Sequence, residues 1–205
     1  MAKLFDRIDD HLRDWISRQS LFFVATAPLD SGGRVNVSPK GPIGTLRVVD
    51  DHTVAYLDIF GSGSETIAHL RENGRICVML CSFEGPPRIL RLHGRGEPVF
   101  AEDQRFQKLL DELRFEESTQ AEARRSVILV HVERIADSCG YDVPLMDNVG
   151  QREHHPKAVA KRVRVMGPEG YVEYARERNG ESIDGLPAVP AAPAAPGTMG
   201  PVKGQ

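Results

Sequence analysis

Cysteine is scarce: the 205-residue chain has three, with no C-x-x-C pair. An odd, unpaired set excludes a disulfide framework and a cysteine zinc site. Cys77 and Cys81, inside the apolar run Ile76-Cys77-Val78-Met79-Leu80-Cys81, read as small buried hydrophobes. Long hydrophobic runs are missing: no window approaches the ~20 apolar residues of a membrane helix, and Met1-Ala2-Lys3-Leu4-Phe5-Asp6 has no apolar signal core. The expectation is a cytoplasmic protein without a membrane partner. Basic excess is missing too. Lys+Arg number 26 against 29 Asp+Glu, and the arginines are scattered, so nucleic acid is not an expected partner. There is no Gly-Lys-Ser/Thr loop end, no G-x-G-x-x-G and no G-x-S-x-G. Nucleoside triphosphate binding, Rossmann-type NAD binding and a nucleophile elbow all lose their sequence support. His154-His155 is followed at once by Pro156 and has no third ligand at helical spacing, so it reads as a solvated pair and not as a metal site.

With 40% hydrophobic and 27% charged residues, the chain can build one domain with a real core. Its most informative stretch is Phe60-Gly61-Ser62-Gly63-Ser64-Glu65-Thr66, which leads from a strand-like segment into a helix-like one. Glycines let the backbone approach an anion, while the hydroxyls of Ser62, Ser64 and Thr66 and the free amides of a first helical turn supply donors. Upstream, Val35-Asn36-Val37-Ser38-Pro39-Lys40 alternates so that Asn36, Ser38 and Lys40 share a face and the lysine can complete a phosphate cradle. The same loop also reads as a capping box, Ser62-x-x-Glu65, with no ligand at all. Taken alone, it leaves both readings open.

Along the chain, Phe5, Ile8, Leu12, Trp15 and Ile16 recur at helical spacing and predict an amphipathic helix over 4–18. Strands are expected at 21–27, 34–38, 46–49 and 53–59, then a helix from about 64 to the Asn73-Gly74 stop. A hairpin follows, 75–83 and 88–93 about the turn Glu84-Gly85-Pro86-Pro87, with Gly94, Gly96 and Pro98 marking a bend or bulge. A charged helix over 102–117 and a last strand at 126–135 complete the set. Many short antiparallel strands with helices at the edges predict a mainly β protein with flanking helices, closed as a small antiparallel barrel. Residues 1–135 would form this unit, and 136–185 an extension, helical over 157–179 with a break near Gly167-Pro168. Pro, Ala and Gly dominate 186–205, which therefore reads as a disordered tail.

Several blocks, in order, resemble the pyridoxamine 5'-phosphate oxidase-like, FMN-binding split-barrel family over roughly residues 18–135. They are Val35-Asn36-Val37-Ser38-Pro39-Lys40-Gly41, Ala55-Tyr56-Leu57-Asp58, Gly61 to Leu70 with Asn73-Gly74-Arg75, and Phe83 to Gly94. Ser138 to Pro144 and Asn179 to Pro187 resemble an uncharacterised branch of that family. The resemblance implies a dimeric split β-barrel, a homodimer with FMN at the subunit interface and the flavin ring between chains. By position, Val35, Asn36, Val37, Ser38 and Lys40 would line the flavin and reach its phosphate, Tyr56 and Leu57 would lie along the ring, and Ser62, Gly63, Ser64, Glu65 and Thr66 would form the phosphate loop.

The departures carry information as well. Family members that oxidise pyridoxamine phosphate have an Arg-Lys pair after the loop serine, where this chain has Glu65-Thr66. Lys40, with Arg88 or Arg91 as candidates, would then neutralise the phosphate, since burying an unpaired dianion is prohibitive. Those enzymes also grip the vitamer with a tryptophan-bearing C-terminal segment, and here the only tryptophan is Trp15. The expected activity is an FMN-dependent oxidoreductase acting on another small molecule at the dimer interface, with no assignable acid–base residue, since the flavin performs the transfer. F420 is the alternative cofactor. A protein that binds flavin, F420 or heme without turnover is the alternative function, and a structural dimer with a vestigial site is a third.

Overall fold

The computed structural model describes residues 3–42, 44–115 and 120–191. Within them lie eight strands, β1 (Lys3–Phe5), β2 (Phe22–Thr26), β3 (Asn36–Lys40), β4 (Leu46–Asp50), β5 (Thr53–Ile59), β6 (Arg75–Cys81), β7 (Ile89–Phe100) and β8 (Arg124–Ser138). All pairings are antiparallel, in the order β3-β2-β6-β7-β8-β5-β4, with β1 joined to β8. The helices are α1 (Asp10–Ser17), α2 (Glu65–Asn73), α3 (Arg105–Leu113) and α4 (His154–Arg178). This is the antiparallel split barrel with flanking helices that the strand pattern predicts.

Period-two alternation decides which side chains meet. On β5, Val54 and Tyr56 point into the main core with Phe22, Ile67, Val78, Leu90, Leu92 and Ile128. Ala55 and Leu57 point to the other face, where Val99, Phe106, Phe115 and Val127 close a second cluster beneath α3. Both faces of β5 are therefore covered, which is why its sequence shows no polar alternation. Asp58 falls on the Tyr56 side, at the mouth of the main core.

Local chemistry sets most element ends. Asp9 caps α1 by accepting from the Leu12 amide at 2.8 Å. Gly74 (φ 72°) closes α2 in the left-handed conformation expected after Asn73. At Gly94 the β7–β8 register shifts, and a Cβ there would stand 1.9 Å from the His131 carbonyl oxygen, so only glycine allows the two backbones to approach. The predicted break in α4 falls at Gly167 (φ 78°, ψ 163°), just before Pro168.

Three expectations need correction. Lys3–Phe5 is a strand on β8, not the start of the first helix, because Asp9 sets the helix start after it. Pairing with β8 carries β7 on through Gly94, Gly96 and Pro98 to Phe100 as one strand, with the bend absorbed as a bulge. The tail does not begin at Leu186: Ala188 and Val189 are buried in the main core, and their amides donate to the Gly180 and Asn179 carbonyls. Residues 192–205 of the expected tail, and 116–117 of the expected 102–117 helix, lie outside the described residues.

Candidate functional site

The strand β5 and the helix α2 are joined by Phe60 to Ser64, and this loop is the centre of the site. The capping box is not formed. Helix α2 starts at Glu65, and Ser64, at the cap position, makes no side-chain cap bond. Its hydroxyl instead donates to the Glu181 carbonyl at 2.8 Å. The Glu65 carboxylate accepts from the Ile183 amide at 3.3 Å. The first-turn amides of α2 are thus left without the side-chain cap that the spacing suggested.

Beside the loop, β3 keeps its alternation, with Asn36, Ser38 and Lys40 turned inward and Val35 and Val37 exposed. Ser38 Oγ donates to Asn36 Oδ1 at 2.7 Å, and Asn36 Nδ2 donates to Thr66 Oγ1 at 3.0 Å and to Thr26 Oγ1 at 3.1 Å. Because Thr66 Oγ1 accepts from Asn36, its own proton remains for another acceptor.

Lys40 reaches the same place through charge. Its Nζ lies 3.7 Å from Asp58 Oδ1. Asp58 also takes a fork from Arg125, Nε to Oδ2 at 2.6 Å and Nη2 to Oδ1 at 3.1 Å, and a hydrogen bond from Ser126 Oγ at 3.1 Å. Burial alone would raise the Asp58 pKa. The Arg125 charge and hydrogen bonds, with Lys40 behind them, outweigh it and hold the carboxyl below its ordinary value. Arg125 Nη1 donates onward to the Gly63 carbonyl at 2.9 Å and to Asn179 Oδ1 at 2.7 Å, and Asn179 Nδ2 donates to the Gly61 carbonyl at 3.2 Å.

Other sequence candidates lie elsewhere. Tyr56 is wholly buried, edge-on to Phe22 at 5.4 Å between centroids, and Leu57 packs in the α3 cluster. Arg88 pairs with Asp137 at 3.1 Å and stacks over Trp15 at 5.2 Å, while Arg91 donates to Ser138 Oγ at 3.2 Å. In this chain neither arginine has a partner in the loop. Ser62 is exposed, and Gly63 is half-buried under the Glu65 carboxylate, where a Cβ would stand 2.4 Å from Oε2.

A cavity of about 860 Å³ opens next to the end of β5, its wall including Leu21, Pro42, Ile59, Phe83 and Val159 together with the charged Glu84, Asp147, Arg152 and Glu153. Neither Lys40 nor Asp58 lines it; it meets the site through Ile59, on the opposite face of β5 from Asp58. His155 also lines it and donates from Nε2 to the Phe60 carbonyl at 2.8 Å. The pair His154-His155 is therefore not simply solvated: its second member anchors α4 to the start of the loop. Among the described residues no group of His, Cys, Asp and Glu could hold a metal ion, and no helix is long and apolar enough to cross a membrane.

Sequence reasoning missed Arg125 and Asn179 as parts of the site, and it quoted Asp58 without a role. Asp58 and Arg125 lie 67 positions apart. The only available signal was a charge next to an apolar run at one end of each strand, Thr53 to Ile59 and Ser126 to Ile135.

The family model described as pyridoxamine 5'-phosphate oxidase matches residues 8–139. The pyridoxamine 5'-phosphate oxidase family protein ustO of Aspergillus flavus is 40% identical over 197 residues, covering 91% of this chain and 78% of the relative. This chain belongs to the pyridoxamine 5'-phosphate oxidase family. Among solved structures, Group A Streptococcus HupZ is similar at 27% identity with a TM-score of 0.47, over 62% of this chain and 91% of that one. An FMN-binding protein from Syntrophomonas wolfei is similar at 17% identity with a TM-score of 0.43, over 61% and 80%. Both scores are low, and family membership rests on the family model and the fungal relative.

Proposed function

We propose that the protein is an FMN-dependent oxidoreductase that works as a homodimer on a small molecule other than a pyridoxine vitamer. Two neighbouring features carry the reading: a cationic, donor-rich loop with Lys40, Thr66 and free first-turn amides, and a cavity of about 860 Å³ that reaches Ile59, the residue before the loop, where His155 lines it and holds the Phe60 carbonyl. A ligand that fits both has a phosphate at one end and a planar, largely apolar body at the other, which describes FMN. The donor set suits a phosphate, since ammonium, hydroxyl and amide groups are all donors and backbone amides bind oxyanions at helix starts. The cavity is within the size range of small-molecule sites.

In this reading FMN supplies hydride or electron transfer on its ring, and the protein supplies binding and orientation. Lys40 neutralises phosphate charge, Thr66 donates its free hydroxyl proton, and Asn36 orients Thr66. The apolar wall from Leu21, Pro42 and Ile59 excludes water from the ring. His155, held at Nε2 by the Phe60 carbonyl, has Nδ1 left for a polar group of the ligand. A second copy is supported by apolar side chains without cover in this chain. Val35, just before edge strand β3, and Val37 on it are 71% and 62% exposed, and Tyr141, Leu145 and Val149 on the C-terminal extension are exposed as well.

The experiment is direct. The purified protein is titrated with FMN while flavin fluorescence, thermal stability and mass in solution are followed, and the loaded protein is then mixed with reduced nicotinamide. Saturable binding, a dimeric mass and nicotinamide oxidation are expected. A colourless protein that neither binds FMN nor gains stability from it ends the reading.

A further inference from the structure

We infer that Arg125 and Asn179 are positioning residues for the anion loop, and that they give the site its selectivity for a phosphate-bearing ligand. The inference deepens the proposed function and rests on it for the identity of the ligand.

In a trans peptide the C=O of one residue and the N–H of the next point in opposite directions. Asn179 Nδ2 holds the Gly61 carbonyl at 3.2 Å, and Arg125 Nη1 holds the Gly63 carbonyl at 2.9 Å. Both oxygens are therefore drawn toward the buried side, and the amides of Ser62 and Ser64 are turned away from it. Among the described residues neither amide has a protein acceptor. Gly63 is a position where a peptide rotates freely for want of a side chain, so without the two donors nothing fixes which edge of these peptides faces a ligand.

Charge gives an independent second argument. Asp58 and Arg125 are each 3% exposed, and Lys40 is the third member of their cluster. Two cations and one carboxylate leave the cluster one positive charge in excess, which the Glu65 carboxylate over Gly63 partly offsets. The Arg125 end is buried, where water screens it poorly. Arg88 and Arg91 are engaged with Asp137 and Ser138, so Arg125 is the second cation of the loop, acting from below through Gly63. Asn179 reaches the loop from the far end of α4, and Ser64 Oγ to Glu181 O and Arg71 Nη1 to Ala188 O fasten the same C-terminal segment to α2. The segment after α4 is thus a structural half of the anion site.

The test compares FMN with riboflavin, which has the same ring and no phosphate. Full-length wild type, Asn179→Ala, Arg125→Lys and the neutral double variant Asp58→Asn/Arg125→Gln are titrated with each flavin, and each is melted with and without inorganic phosphate. The double variant removes the buried pair together, so that the cation left without its carboxylate is Lys40, which is partly exposed to water, and the fold is kept. The expected result is an FMN dissociation constant raised roughly tenfold or more in Asn179→Ala and in the double variant, with riboflavin affinity unchanged. Arg125→Lys should recover part of the FMN loss. A general loosening of the fold would weaken both flavins together. That parallel loss, or an unchanged FMN affinity, overturns the inference. If wild type binds no flavin but is stabilised by phosphate, and the variants are not, the flavin reading falls and the loop inference stands. If wild type takes neither flavin nor phosphate, both fall.

Discussion

The Thr26 hydroxyl lies 2.9 Å from Nδ1 of His69, a residue with no exposed surface. Thr26 Oγ1 also accepts from Asn36 Nδ2 at 3.1 Å, and among the described residues the buried Nε2 of His69 has no partner, so a charged ring would leave an N–H unpaired. Burial pushes the His69 pKa down from 6.5, against a counter-pull from Glu72, Asp184 and Glu65. A folded-state value below the unfolded one means that the stability contributed is complete above the unfolded pKa. It is lost as pH falls through the lower folded value. His93, lowered by burial, Arg134 and Arg91, acts in the same sense. Urea midpoints should fall between pH ~7.5 and pH ~5.5, and His69→Gln should flatten that slope. An unchanged slope in the variant would mean that His69 is not the titrating group.

Asp58→Asn tests the buried pair. The change is nearly isosteric, yet it leaves Arg125 as a buried cation without its carboxylate. The expected loss is about 3–5 kcal/mol in urea unfolding, as for other buried pairs broken on one side. A loss under ~1 kcal/mol would show that water reaches Arg125 and screens it.

Tyr56 gives the opposite expectation. Its hydroxyl is buried and has no partner among the described residues, and burial raises its pKa well above 10. Removing an unsatisfied polar atom relieves a desolvation penalty, so Tyr56→Phe should leave the melting temperature unchanged or raise it, by up to about 1 kcal/mol of stability. A clear drop would reveal a hydrogen bond to that oxygen.

Glu65 stands one residue beyond Ser64, with its carboxylate folded over Gly63. An acid there repels a phosphate. Glu65→Gln should tighten FMN binding by roughly three- to tenfold at low salt, with less effect as ionic strength rises. Fluorescence titration at two salt concentrations reads both, and a salt-independent change would point to the lost Ile183 contact instead.

Much of the strand order was legible because alternation and turn residues are local signals. Arg88, Leu90 and Leu92 against Ile89, Arg91 and His93 is a period-two pattern, and Asn73-Gly74 and Gly167-Pro168 interrupt helices for reasons held within a few residues. The first helix was overrun at its start because Phe5 fits both a helical stripe and a short strand. Only the antiparallel pairing of Lys3–Phe5 with β8 chose between them.

The amino-acid sequence alone determined that this chain has an antiparallel barrel, a Gly- and Ser-rich loop before a helix, and a lysine on the inward face of β3, since each depends on spacing and side-chain chemistry along a short stretch. Tertiary structure decided what stands behind that loop. The Lys40–Asp58–Arg125 cluster, the grip of Asn179 on Gly61 and the diversion of Ser64 from helix cap to the Glu181 carbonyl join segments 18 to 118 positions apart. Such contacts exist only after β3, β5, β8 and the end of α4 converge, and a charge or amide on one strand carries no mark of its distant partner.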